Sequence, residues 1–351
     1  MALIDVEQFR AREAQGLITC RSHPSAELVI WNYTPQCQFE RAWDDVTMQA
    51  RGLITTPDGT IVARPFRKFK NIEEYDGRIP LAQLRPFTVT EKWDGSLGIV
   101  YFIDDKPYIA TRGSFTSEQA IKANEILQEK YSNVLLTKDF TYLFEIIYAE
   151  NRIVCSYGDT EDLILLAIIH TETGHEFNIH AEQCQKLCPF PVVKQYDGIN
   201  DINELKQLEE PNKEGFVIRF ESGLRLKCKF TEYVRLYKIL TQCTARTIWD
   251  LMRNNQPVDD LMEKMPDEFF SWVQTTRANL LRQFTKIELG ACEIFTQVHK
   301  LPTRKEQAAI ICKSPHAPVV FSMLDGKPYE DIIWKQLRPQ AERPFRGEIE
   351  A

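Results

Sequence analysis

The sequence lacks any apolar run able to cross a bilayer. The longest, residues 163–169, has seven residues, against about 20 for a spanning helix. Its first residues, MALIDVEQFRAREAQG, carry charges of both signs and no apolar core, so a secretory leader is not expected. Glycine and proline are sparse, 15 and 18 of 351 residues, which excludes a collagenous or low-complexity chain. Cysteine occurs nine times, an odd number without a paired framework; reduced thiols in a cytoplasmic protein are the expectation. Positive charge is not in excess either. Lys and Arg total 43 and Asp and Glu 50, a net charge of −7 that argues against a non-specific nucleic-acid binder.

What is there is an ordinary globular mixture, 43% hydrophobic and 26% charged, long enough for two domains. The distribution of charge says more than its sum. From residue 239 onward acids and bases balance at 15 each, so the whole acidic excess lies in residues 1–238. Two dense positive stretches interrupt that acidic part: Arg64, Arg67, Lys68 and Lys70, and then Arg225, Lys227, Lys229, Arg235 and Lys238. Cations clustered in an acidic background suggest a focused anion site, although a solvated face is the commoner fate of a charge run.

Texture divides the chain in the same place. Up to about residue 238, short segments rich in β-branched and aromatic residues (IVARPF, FTVTEKW, SLGIVYFI, KPYIATRG, TYLFEIIYA, EGFVIRF, GLRLKCKF) are punctuated by turn sequences such as PDGT and IDDKP. Their short connections predict antiparallel sheets with flanking helices, an α+β domain over 1–238. Beyond it, TARTIWDLMR, the long stretch from PDEFFSWV to FTQV, RKEQAAIICK and YEDIIWKQL predict an all-α domain over 239–351.

The chemistry concentrates in the first domain. Lys92 precedes Trp93-Asp94-Gly95-Ser96 between two predicted strands. Taken alone, this is a hairpin with an incidental lysine. Its company changes the reading: Glu145 in FEIIYAENRIV, Glu214 in EGFVIRF, and Lys227-Cys228-Lys229, whose alternation puts both lysines on one strand face. A lysine nucleophile needs the neutral amine, which neighbouring cations favour. Lysines also neutralise phosphate oxygens, and carboxylates supply hard ligands for a divalent metal. Such a site can hold a nucleotide covalently as a lysine phosphoramidate.

The ordered set KWDGS, FEIIYAENRIV, EGFVIRF and LKCK resembles motifs I, III, IV and V of the covalent nucleotidyltransferases. Residues 50–52 (ARG), 63–71 (ARPFRKFKN), the Asn32-Tyr33 pair and TRGSFTSEQAIKANEIL are similar to elements of the T4 RNA ligase 1 family within that superfamily. The resemblance implies an ATP-dependent RNA ligase requiring Mg²⁺ or Mn²⁺. Lys92 would attack the α-phosphate of ATP and carry AMP, with Asp94 and Gly95 shaping its turn. Lys227 and Lys229 would bind the α-phosphate, Arg51 and Lys68 the β and γ phosphates, with Phe69 and Tyr33 nearby. Glu145 would contact the nucleoside or a hydrated metal, Glu214 the catalytic metal, and Gly215 would permit close backbone approach. Where the family typically has lysine before Gly-Ser, this chain has Arg112, a planar fork in place of a point charge.

The implied substrate is RNA with 5′-phosphate and 3′-hydroxyl ends; cleaved tRNA is a candidate substrate, and a separate end-healing kinase or phosphatase a candidate partner. DNA ligases and capping enzymes usually carry an oligonucleotide-binding barrel after motif V, and the helical texture here disfavours one. A DNA or nick ligase and a non-catalytic nucleotide- or RNA-binding module stay open as alternatives. Arg304, Lys305, Lys335, Arg338, Arg343 and Arg346 are candidate phosphate contacts or a solvated helix face. His175, His180, Cys184 and Cys188 fit no usual zinc spacing, and Trp249, Trp272 and Trp334 read as packing residues.

Overall fold

Short segments rich in β-branched and aromatic residues build three sheets, which the computed structural model places in one of its two compact units, Met1–Leu240; the other is Thr241–Ala351. The residues described are 2–77, 79–199, 201–241, 244–258 and 267–339. The first sheet is antiparallel, β1 (Ile18–Ser22), β2 (Val29–Tyr33), β3 (Arg51–Thr55) and β4 (Ile61–Ala63) in that order. Helix α1 (Val6–Ala14) is started by Asp5, whose carboxylate accepts from the Gln8 N–H at 3.1 Å. It buries Phe9 edge-on against Trp31, with ring centroids 5.2 Å apart.

Two further sheets share the rest of the unit. One has the order β10 (Asp162–His170), β9 (Phe140–Ile147), β7 (Ser96–Ile103), β8 (Lys106–Thr111). The other runs β11 (Gln195–Tyr196), β6 (Phe87–Lys92), β12 (Gly215–Phe220), β13 (Arg225–Lys229), β5 (Lys70–Asn71). The pairing of β13 with β5 is parallel, Leu226 opposite Lys70 and Lys227 opposite Asn71. Only antiparallel pairing is expected from short connections; this pair is joined by more than 150 residues of intervening chain, so no short crossover is needed.

The first two sheets pack face to face. Ile30, Ile54, Ile99, Tyr101 and Leu143 share one core, while Val100, Phe144, Ile146 and Leu163 turn the other way, toward Ala123, Ile126 and Leu127 of helix α2 (Glu118–Tyr131). The seven-residue apolar run is therefore β10, with Leu163 and Leu165 serving one core and Ala167 and Ile169 the other. Burial on both faces explains why it does not alternate.

In Thr241–Ala351 every element among the described residues is helical: Ala245–Arg253, Asp267–Val298, Arg304–Ile311, Ala317–Leu324 and Glu330–Gln336. Ala291, Val298, Ile311, Val319, Val320 and Ile333 form its core. Trp249 and Trp334 are buried, the Trp249 indole donating to the Trp334 carbonyl at 2.8 Å, and Trp272 is half-buried. Arg304 pairs with Asp325 at 2.6 Å and Lys335 with Asp331 at 2.8 Å; Arg338 lies over Trp249. Lys305 is exposed, and Arg343 and Arg346 lie outside the described residues. No described helix is long and apolar enough to cross a membrane.

Candidate active site

Lys92 ends β6, and after three intervening residues the chain starts β7 in a different sheet. The Trp93-Asp94-Gly95 link is thus a bridge between sheets and not the hairpin that its sequence suggests. Asp94 fixes the bridge. Its buried carboxylate accepts from the Val154 and Cys155 N–H groups at 2.8 and 2.9 Å and from the Tyr233 hydroxyl at 2.7 Å. Its own N–H donates to the Tyr157 hydroxyl at 2.8 Å, and Trp93 stacks on that ring with centroids 4.4 Å apart. Burial, with the carboxylates of Glu214 and Asp94, drives the Tyr233 pKa upward, so its hydroxyl stays a donor. Gly95 is required by space: a Cβ there would lie 2.7 Å from the Ile146 carbonyl oxygen.

Register sets the lysines. Lys92 and Lys229 both stand directly opposite Gly215, one on either side, so the two amines flank it across three adjacent strands. Gly215 has φ of +147°, and a Cβ would meet the Cys228 oxygen at 2.0 Å, so no other residue fits between β12 and β13 here. The preceding Glu214 is buried and joins both amines, Oε2 accepting from Lys92 Nζ at 2.6 Å and Oε1 lying 3.0 Å from Lys229 Nζ. Burial opposes its ionisation, but the two ammonium groups outweigh that and hold the carboxyl below its ordinary value. Cys228 and Leu226 point to the core from the opposite face of β13.

Glu145 approaches from the other sheet, where it pairs in register with Leu97 and Ile164. It accepts from the Gly95 N–H at 3.1 Å. Burial, opposed by the charge of Lys92 and reinforced by Glu214, pushes its carboxyl up to about 7. The site thus holds two carboxylates of opposite tendency, one firmly ionised and one titrating near neutrality.

A second cluster lies on the first sheet. Arg112 donates to the Tyr33 hydroxyl at 2.7 Å while its guanidinium sits 4.8 Å from the ring centroid. A planar fork can stack and donate at once, which an ammonium in its place could not. Lys68, buried, has its amine 5.5 Å from the Tyr33 ring and 5.2 Å from Trp43. Arg51 lies 5.3 Å from the Phe69 ring. Phe69 leads straight into β5, which pairs with β13 beside Lys227, so this segment connects the second cluster to the lysine strand. Sequence reasoning missed Trp43, Tyr157 and Tyr233. Tyr233 lies 139 residues beyond its partner Asp94, and no spacing signals it.

The donor set suits a divalent cation: two neighbouring carboxylate residues, one with a raised pKa that added positive charge would relieve. Among the described residues no three His, Cys, Asp or Glu side chains are placed to cage a metal, so remaining ligands would come from water or phosphate. His175, His180, Cys184 and Cys188 form no such group either.

Residues 49–237, more than half of the chain, match the family model of the RNA ligases of T4 RNA ligase 1 type, and the chain belongs to this family. It is 26% identical over 266 residues to a protein from Thermovibrio ammonificans named "Putative RNA ligase", covering 72% of this chain and 70% of that one. It is 27% identical over 282 residues to one from Autographa californica nuclear polyhedrosis virus named "Putative bifunctional polynucleotide kinase/RNA ligase", covering 71% of this chain. The match spans only 39% of the viral protein's length. A solved archaeal ATP-dependent RNA ligase is similar over 82% of this chain and 80% of its own, at 15% identity and a TM-score of 0.46.

Proposed function

We propose that this protein seals RNA 5′-phosphate and 3′-hydroxyl ends with ATP, through AMP carried on Lys92. The observation that carries the reading is the shared carboxylate: Lys92 and Lys229 held by the two oxygens of Glu214, at 2.6 and 3.0 Å. Glu214 is the counter-ion of Lys92. A divalent cation such as Mg²⁺ or Mn²⁺, held by Glu214 and Glu145, would supply charge that neutralises phosphate oxygens. Were Glu214 to turn to such a cation, Lys92 would lose its counter-ion, and the neighbouring Lys229 and Lys227 would favour its neutral, nucleophilic form. Its amine then attacks the α-phosphate of ATP, forming the N–P bond as pyrophosphate leaves. Lys227 and Lys229 take the negative charge on the α-phosphate, and Arg51 and Lys68 that of the β and γ phosphates. Phe69 orders Arg51; Tyr33 and Arg112 wall the nucleotide side. Transfer of AMP to an RNA 5′-phosphate and attack by a 3′-hydroxyl complete the sequence, both in-line displacements in which the protein positions groups and neutralises charge.

The helical unit is assigned to substrate choice, with cleaved tRNA as the candidate, and every described cysteine is a free thiol, which fits the cytoplasm. The viral relative's name joins a kinase to a ligase, which fits the proposal that a healing activity prepares the ends this chain seals. The test is incubation with α-labelled ATP and Mg²⁺, followed by a panel of single-stranded RNA, cleaved tRNA and nicked DNA acceptors. The parent protein should become labelled and Lys92→Ala should not. Equal labelling of Lys92→Ala defeats the lysyl-AMP mechanism, and sealing of nicked DNA in preference to RNA defeats the substrate assignment.

A further inference from the structure

The two positive stretches of the sequence, some 150 residues apart, meet in the fold. Arg64, Arg67, Lys68 and Lys70 of the first and Arg225 of the second line a cleft of about 920 Å³, which takes in Lys68 and Phe69 of the second cluster but none of Lys92, Glu145 and Glu214. Six cations border it, Arg64, Arg67, Lys68, Lys70, Arg219 and Arg225, against three carboxylates, in a chain whose net charge is −7. Arg225 lies 4.0 Å over the Phe66 ring, and Glu176 serves it and Arg219 together, at 2.7 and 3.1 Å. One carboxylate is thus divided between two guanidinium groups. Arg64 donates to the carbonyl oxygens of Thr171 and Glu172 at 2.8 and 3.2 Å, two bonds that engage its N–H groups without compensating its charge. Burial and the charge of Arg67 both lower its pKa, a cost that a bound anion would relieve.

The cleft is continuous with the lysine centre along one strand. Arg225, Lys227 and Lys229 occupy the same face of β13 at two-residue intervals, about 6.6 Å each. That row begins in the cleft and ends at the amine sharing Glu214 with Lys92. Phe66, Phe69 and Tyr75 line the cleft among the cations, the mixture with which proteins hold single strands.

We propose that this cleft binds the phosphodiester backbone of a single-stranded RNA segment leading away from the end being joined. The proposal rests on the RNA ligase reading above, and its test separates the two. Binding of a 5′-phosphorylated single-stranded RNA oligonucleotide is measured by fluorescence anisotropy over a range of salt, and lysine labelling with ATP is measured without RNA. The Arg67→Glu/Arg219→Glu double variant should weaken RNA binding about ten-fold or more and lower the salt slope by about 0.7 for each phosphate that is no longer neutralised. Its ATP labelling should stay at the parent's rate. Glu221→Lys, at an exposed position of the same cleft, should tighten RNA binding several-fold, a gain that misfolding cannot produce. Unchanged affinity and slope in both variants would overturn the proposal. So would parallel loss of RNA binding and ATP labelling in a folded double variant, which would assign the whole cleft, and not only Lys68 and Phe69, to the nucleotide. A parent that binds RNA without labelling defeats the lysyl-AMP reading, while the variant affinities still decide the cleft.

Discussion

Asp94 offers the sharpest separation of architecture from chemistry. Replacing it with alanine strips the acceptor from two buried N–H groups and the Tyr233 hydroxyl. Each bond to a charged acceptor contributes about 1.5–3 kcal/mol, and an orphaned buried donor costs about 1–3 kcal/mol. Non-additivity within one network brings the total to about 4–6 kcal/mol. Asparagine differs. Its carbonyl oxygen can take the two N–H donors while its amide donates to the Tyr233 oxygen, so only the charge assistance is lost, about 1–2 kcal/mol. For a unit of this size a loss of 1 kcal/mol lowers Tm by about 2–4 °C. Asp94→Ala should therefore melt about 10–20 °C early, and Asp94→Asn only a few degrees early. Thermal unfolding followed by circular dichroism gives both numbers, and ATP labelling at a temperature where each variant is folded gives the activity. Equal melting temperatures for parent and Asp94→Ala would refute the anchoring argument. Full stability of Asp94→Asn with complete loss of labelling would show that the carboxylate acts in the reaction itself.

Glu145 and Gly215 give two further expectations. Because the folded protein holds the Glu145 carboxyl near 7 against an ordinary 4.5, it binds the more protons over that interval. Its contribution to stability is thus complete below about pH 4.5 and is lost as pH rises toward 7, by about 3 kcal/mol in metal-free buffer. Glu145→Gln should abolish that decline, melting above the parent at pH 8 and close to it at pH 4.5; denaturation at the two pH values decides. Gly215→Ala places a methyl 2.0 Å from the Cys228 oxygen at a φ of +147°. We expect it to part β12 from β13, seen as loss of amide exchange protection on both strands; a variant with parental protection would contradict the packing argument.

Much of the candidate site was legible because its residues sit on strands with strong local signatures. SLGIVYFI became β7 in full, and the alternation in LKCK placed Cys228 in the core and its neighbours on the opposite face. Partner choice was not legible. Nothing local in KWDGS distinguishes a hairpin from a passage between sheets, since both need a tight Asp-Gly link. What decides is burial of Asp94 against residues 154–155 and Tyr233, distant in sequence. Strands β1 to β3 escaped notice because they mix polar residues such as Arg21, Asn32 and Arg51 with apolar ones. Arg112 could be noticed as a departure, but its dual contact with Tyr33 needed the fold.

The passage of Lys92 between sheets has a mechanical consequence. Lys92, Glu214 and Lys229 belong to one hydrogen-bonded ladder or its immediate end and keep their spacing as a body. Glu145 belongs to the neighbouring sheet. The two carboxylates therefore sit on opposite banks of a seam crossed by the Trp93-Asp94-Gly95 link, so a tilt of one sheet against the other would change their separation. A group that drew both carboxylates to itself would span that seam beside the link that Asp94 anchors.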